Sequence, residues 1–129
     1  SWIGILPEDL KKFLWPELGT SGRLRSLLDD FYERASKDIL IGFFFLGKDL
    51  SAIAQKQTEF LLRAMGQTDR YSGRSPAHAH LGLAPILGGH FDRRTVLLRN
   101  TMADHGLSPA AQDAWVQFEA LFRESIVTS

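Results

Sequence analysis

The sequence predicts an all-α domain, and three observations carry that reading. Apolar residues recur at helical spacing in several separate stretches. Cap and stop signals bracket those stretches. The one apolar run short enough for a buried strand, 39–46, has no partner strand elsewhere in the chain. At 129 residues there is room for one ordinary domain and not two, so residues 1–129 are expected to form a single unit.

Taken in order, Pro7-Glu8-Asp9 opens a helix, because Pro is tolerated in the first turn and acids suit the positive end of the helix dipole. Leu10, Phe13 and Leu14 continue it, and Pro16 with Gly19 is expected to stop it. Thr20 or Ser21 caps a second helix whose stripe is Leu24, Leu27, Leu28, Phe31, Tyr32 and Ala35. The run 39–46, flanked by Gly42 and Gly47, reads as a buried corner. Asp49 or Ser51 caps a third helix with Leu50, Ile53, Ala54, Gln57, Leu61 and Ala64 in line and Phe60 alongside. Residues 66–76 are polar and turn-rich, longer than most helix connections. A short helix is expected over 76–81, followed by an irregular stretch through Pro85 and Gly88-Gly89. A fourth long helix runs from about His90 to His105, with Phe91, Thr95, Leu98 and Met102 on one face, until Gly106 ends it. Ser108-Pro109 starts the last helix, which carries Ala111, Trp115, Phe118, Phe122 and Ile126.

Composition removes several kinds of chemistry. Fifteen basic residues balance fifteen acidic ones, which argues against a dedicated nucleic-acid binder. With no cysteine there are no disulfides, thiolate nucleophiles, iron–sulfur ligands or Cys-containing zinc sites, and a reducing, cytoplasmic compartment is expected. No apolar run approaches a membrane span, and the opening residues lack the basic region of a signal peptide, so no membrane partner is expected. There is no phosphate-cradling Gly-rich loop, nucleophile elbow or His-Glu-x-x-His motif. The unusual count is aromatic: nine Phe, three Trp and two Tyr. That much ring area in so small a chain calls for something large or flat to pack against.

A few residues break the apolar pattern. Gln57 interrupts the third stripe, either bonded to a loop carbonyl or facing a pocket, since a buried amide must find partners. Tyr32 lies on the inward stripe of the second helix, either as a core tyrosine with its hydroxyl at the surface or as a pocket donor. Together the two suggest a polar spot inside an apolar pocket. His78 and His80 follow the polar loop, and two histidines alone make no zinc site, whereas one axial His beneath a haem needs no local motif. His90 and His105 read as surface or cap residues, and Asp29-Asp30 as a solvated pair. Arg93-Arg94 is either an exposed salt-bridging pair or an anion clamp.

The ordered set Asp30-Phe31-Tyr32-Glu33-Arg34, Asp38, Phe44-Phe45, Gln57-x-x-Phe60-Leu61, Tyr71-x-Gly73 and His80 resembles the truncated haemoglobins. These are small globins with a two-over-two helical sandwich and a long irregular segment before the proximal helix. The resemblance runs from about Leu24 to Met102. It implies haem b, with His80 as the proximal ligand to the iron, Tyr32 as the distal donor and Gln57 as its amide partner. Ile53 takes the position where many globins have histidine, and Phe45 stacks beside the haem. Phe44, Phe60, Leu61, Tyr71, His78, Phe91 and Leu98 complete the implied pocket, and Lys56 reaches a propionate. The Tyr, aliphatic, Gln set is most like the first truncated group, although the segment from His80 to Phe91 is nearer the third in length. Arg94 falls where the family places a Trp or a small apolar residue. Either the register shifts by one or two residues there, or an arginine enters the pocket.

The resemblance further implies reversible binding of dioxygen, nitric oxide or carbon monoxide. Tight binding with slow release would suit nitric oxide chemistry or sensing better than transport, with a reductase as partner. Nitric oxide dioxygenase or peroxidase-like turnover is compatible with it. The alternative is a haem-free helical interaction module, which requires protein partners for both Tyr32 and Gln57.

Overall fold

The computed structural model describes residues 8–68 and 85–127. Tyr71, His78, His80 and the short helix expected over 76–81 lie outside the described residues. Among the described residues all regular structure is helical.

The first helix does not stop at Pro16. A π-helical stretch, Leu10–Leu14, runs directly into α1, Trp15–Leu18, with Pro16 in the first turn of α1. Proline clashes with the carbonyl four residues back only in a regular α-helix interior, and the wider π turn before it removes that conflict. Gly19, at φ 75°, ends the helix. Thr20 caps α2, Ser21–Lys37, by accepting the Arg23 amide at 3.1 Å. Every residue of the stripe predicted for α2 is buried, and each such side chain contributes on the order of 1.5–3 kcal/mol of apolar burial.

The corner after α2 departs from expectation. Only Ile41 and Gly42 are buried, while Ile39 is 93% and Leu46 77% exposed. Asp38 ends α2, and its carboxylate accepts the amides of Leu40 and Ile41. The chain then turns through a 3-10 segment, Gly42–Phe45. Three residues per turn distribute an apolar run around the helix axis rather than along one face. Gly42 has a packing reason to be glycine, since a Cβ there would sit 2.8 Å from the Ser36 carbonyl oxygen.

Asp49 caps α3, Leu50–Ala64, by accepting the Ala52 amide. Its core face holds Ala54, Thr58, Phe60, Leu61 and Ala64, while Leu50, Ile53 and Gln57 are half-buried. Thr58 was not expected inside, and its hydroxyl is satisfied by the Ala54 carbonyl at 2.8 Å. The next helix, α4, spans Gly88–Asp104 and buries Phe91, Leu98 and Met102 as the spacing predicts. Ser108 caps α5, Pro109–Ala120. The expected single last helix is two pieces, because a turn at Leu121 and Phe122 precedes α6, Arg123–Ile126. That turn brings the Phe122 ring back to 5.3 Å from Phe118, edge to face.

Helix α2 packs against both α3 and α4, α4 packs against α5, and the π segment lies on α5. These contacts make two layers of paired helices. Glu17 ties α1 to the start of α5 by accepting from the amide and hydroxyl of Ser108. Among the described residues, no helix is long and apolar enough to cross a membrane.

Candidate functional site

A cavity of about 490 Å³ opens between α2, the 3-10 corner, α3, α4 and the final turns. That volume lies within the usual range for small-molecule and cofactor sites, roughly 300–1,000 Å³. Each element supplies a wall. The second helix contributes Tyr32, the corner Phe44 and Phe45, α3 Ile53, Lys56, Gln57 and Phe60, and α4 Phe91 and Arg94. Of the expected pocket residues within the described chain, only Leu61 and Leu98 are absent from the walls, and both are fully buried in the core. Leu61 follows Phe60 by one residue, a rotation of about 100° that turns it from the cavity to the helix interface. Leu98 lies one turn beyond Arg94 and packs too deeply to reach the cavity.

Other lining residues were not expected. Phe118 and Phe122 were expected only as part of the last helix, and Glu119 between them was not singled out. An acid one helical turn after a buried Trp, on an otherwise apolar stripe, was the available signal. His90, read as a cap or surface residue, is a cap and also faces the cavity. Its Nδ1 accepts the Leu87 amide at 3.0 Å, and its ring meets Phe43 and Phe44 edge to face on the cavity wall. A neutral imidazole with Nδ1 accepting carries its proton on Nε2, so His90 held in this way offers no lone pair to a metal.

Arg94 enters the pocket. Its guanidinium pairs with Glu119 and lies 5.0 Å from the Phe31 ring centroid. The second carboxylate oxygen of Glu119 accepts the Trp115 indole N–H at 3.2 Å. Burial alone would lower the Arg94 pKa, but the Glu119 carboxylate and Tyr32 more than reverse this, so the guanidinium stays charged. Burial pushes the Tyr32 phenol up, and Arg94 offsets only part of that, so the hydroxyl keeps its proton. The Tyr32 ring meets Phe31 at 5.0 Å and Phe45 at 5.9 Å, both edge to face.

The other paired charges are structural. Arg93 forks onto Asp38, tying α4 to the corner. Asp30, expected to be solvated, is instead held by Arg34 and His105 across α2 and the end of α4. Asp29 pairs with Arg25 at the surface, closer to expectation.

The residues fit the group that the resemblance implies. Phenylalanines from several elements suit a flat apolar macrocycle, and the exposed Lys48 and Lys56 among the lining residues suit its carboxylates. Comparison with known proteins agrees. Residues 13–127 match the family model described as bacterial-like globin. The group 1 truncated haemoglobin GlbN of Synechocystis sp. is 34% identical over 97 residues, covering 73% of this chain and 78% of that protein. A group 1 truncated haemoglobin of Tetrahymena pyriformis is 26% identical over 97 residues, covering 75% of this chain and 79% of that protein. Among solved structures, the Fe(III) truncated haemoglobin of Tetrahymena pyriformis superposes with a TM-score of 0.81 at 23% identity, covering 89% of this chain and 97% of that one. The 2/2 haemoglobin of a Synechococcus species, solved in the cyanomet state with covalently attached haem, gives 0.78 at 25% identity, covering 89% and 98%. The chain belongs to the bacterial-like globins, and within them to the truncated haemoglobins, with group 1 members as its relatives.

Proposed function

We propose that this haem-binding globin holds haem b through His80 and uses Tyr32 and Gln57 to hold a diatomic gas at the opposite face. Haem, when bound, supplies an iron with a coordination position open to dioxygen, nitric oxide or carbon monoxide. The observation that carries the reading is that Tyr32 from α2 and Gln57 from α3 line one cavity together with phenylalanines from the corner, α3, α4 and α5. Both are donors, and a low-dielectric wall makes donors more effective toward partial negative charge than they are in water. Phe45, Phe60 and Phe91 exclude water and orient the flat group, and Lys56 meets its carboxylate edge.

Strong donors favour slow gas release. That suits nitric oxide chemistry or sensing, supported by a reductase, over transport. A peroxidase-like activity is separable from it by turnover with nitric oxide and a reductase against turnover with peroxide.

The test begins with an absorption spectrum of the reduced chain, with and without carbon monoxide. We expect an intense Soret band that shifts with the gas and that His80→Ala abolishes or moves. An unchanged spectrum in His80→Ala removes His80 as the ligand. Gln57→Leu is expected to speed dioxygen release about tenfold, as loss of about 1.4 kcal/mol of hydrogen bonding would. A release rate that does not change would deny Gln57 its role.

A further inference from the structure

We infer that the outer face of the corner after α2 is a docking surface for a second copy of this chain, which associates through it into a weak two-fold dimer. The inference stands independently of the haem chemistry proposed for the cavity.

The corner has two faces. Ile41, Phe44 and Phe45 wall the cavity. Ile39, Leu40, Phe43 and Leu46 do not line it, and they stand 93%, 54%, 47% and 77% exposed. The Phe43 ring rests on Phe44 at 4.1 Å and meets His90 edge to face at 5.6 Å. The exposed Leu87 is tied to that same histidine by its backbone amide. Of the eight large apolar side chains exposed among the described residues, five therefore share this surface. The surface is also held in place. Asp38 fastens its start to Arg93 of α4 and to the Leu40 and Ile41 amides, and Gly42 seats it against the Ser36 carbonyl. Docking therefore needs little ordering of the backbone.

Area sets the strength of the contact. The five side chains expose on the order of 500 Å² of apolar surface, near the top of the range for the largest patch on an ordinary monomer. Two such faces bury about 1,000 Å² together, where a stable complex buries roughly 1,200–2,000 Å². That is the size of a weak, concentration-dependent dimer. Charge selects the occupant. Around the surface Lys37 pairs with Glu33, Arg93 with Asp38, and Arg123 with Asp92. With these charges cancelled, nothing there draws an anionic membrane or steers a partner of opposite charge. The same balance suits self-association. Across a two-fold axis a patch meets its own image, so a patch of one charge repels itself and an apolar one does not. The chain as a whole carries no net charge that would keep copies apart.

Sedimentation velocity of the purified full chain, from about 10 μM to about 1 mM, tests this. We expect a monomer that shifts toward dimer across the range, and a shift that persists in about 0.5 M salt, where ionic contacts are screened. Ile39→Lys and Leu46→Lys each bring like charges together across the contact and should raise the dissociation constant about tenfold or more. Phe13→Lys alters an exposed ring placed against α5 instead and should leave it unchanged. Neither Ile39 nor Leu46 lines the cavity, so haem uptake and circular dichroism of those variants should match the parent. Should either variant fail to fold, Ile39→Thr and Leu46→Ser carry the same comparison. A chain that stays monomeric at the highest concentration, or a dimer that salt dissolves, overturns the inference. A dimer that survives both corner variants, or that Phe13→Lys disrupts equally, overturns it too. Binding to phosphatidylcholine–phosphatidylserine vesicles with no dimer formed would assign the surface to a lipid and likewise overturn it.

Discussion

Replacing Glu119 with leucine should be among the most damaging single changes in the chain, and the structure gives the size. The carboxylate answers two donors, the Arg94 guanidinium and the Trp115 indole. Leucine nearly fills the same space, so little cavity opens; what is lost is the charge partner. Breaking a buried ion pair from one side costs about 3–5 kcal/mol, and an unpartnered indole N–H adds about 1 kcal/mol. The Arg94 side chain keeps 24% of its exposure against 11% for Glu119, and water reaching it through the cavity repays part of this. A net loss of about 3 kcal/mol follows. The double variant Arg94→Met/Glu119→Leu leaves only the indole unsatisfied and should lose about 1 kcal/mol. The difference of about 2 kcal/mol between the single and the double variant is readable from urea unfolding followed by circular dichroism. All forms must be measured free of haem, because a bound ligand would add its own stabilisation. If Glu119→Leu lies within about 1 kcal/mol of the parent, or the double variant is as unstable as the single one, the pair is not the buried structural unit described.

Two further outcomes follow from the corner after α2. Gly42→Ala should destabilise the chain by about 1–3 kcal/mol, because its Cβ would meet the backbone oxygen of Ser36, which cannot swing aside; a melting temperature equal to the parent would show that the corner yields freely. The Arg93 hydrogen bond, helped by the Leu40 and Ile41 amides and opposed by burial, holds the Asp38 carboxyl below its ordinary value. Its contribution is therefore complete above the unfolded pKa of about 4 and fades as pH falls through the lower folded value. Asp38→Asn should cost about 1–2 kcal/mol near neutrality and almost nothing in strong acid, and a gap between variant and parent that stays constant with pH would contradict this.

What could be read from sequence divides by range. The stripe of α2 and the caps Thr20, Asp49 and Ser108 are local patterns, fixed by residues within four positions of one another, and the structure keeps them all. Most of the expected pocket residues in the described chain reached the cavity because the resemblance carried their spacing as a set. The failures were long-range or rotational. No local feature of Glu119 tells that it will meet Arg94, 25 positions earlier, inside a cavity. Nothing near Asp30 announces that His105 will close on it from 75 positions away. The 39–46 run looked buried because it is apolar, but Ile39, Leu40 and Leu46 sit in the turns flanking the 3-10 segment and Phe43 on its outer side, so half of the run faces outward. Pro16 looked like a stop because proline clashes in an α-helix, and only the π turn before it removes the clash.

The aromatic excess has a physical consequence that the family resemblance does not supply. Phe44, Phe45, Phe60, Phe91, Phe118 and Phe122 all wall the cavity, and α3 meets α5 and the turn after it through the rings of Phe60, Phe118 and Phe122. A phenyl ring is flat and rigid and cannot bend into a gap as methionine does. Walls of phenylalanine therefore keep open a space that aliphatic walls would close. A dry void of about 490 Å³ would cost on the order of 10 kcal/mol at about 24 cal/mol per Å³, comparable to the whole stability of a domain this size. No folded chain can carry that cost unrelieved, so the space has to be filled, by water beside its polar side chains and by an apolar body along the phenylalanines. The same rings that hold the cavity open thus tie the stability of the fold to what occupies it, which is why occupancy and folding should rise together in this globin.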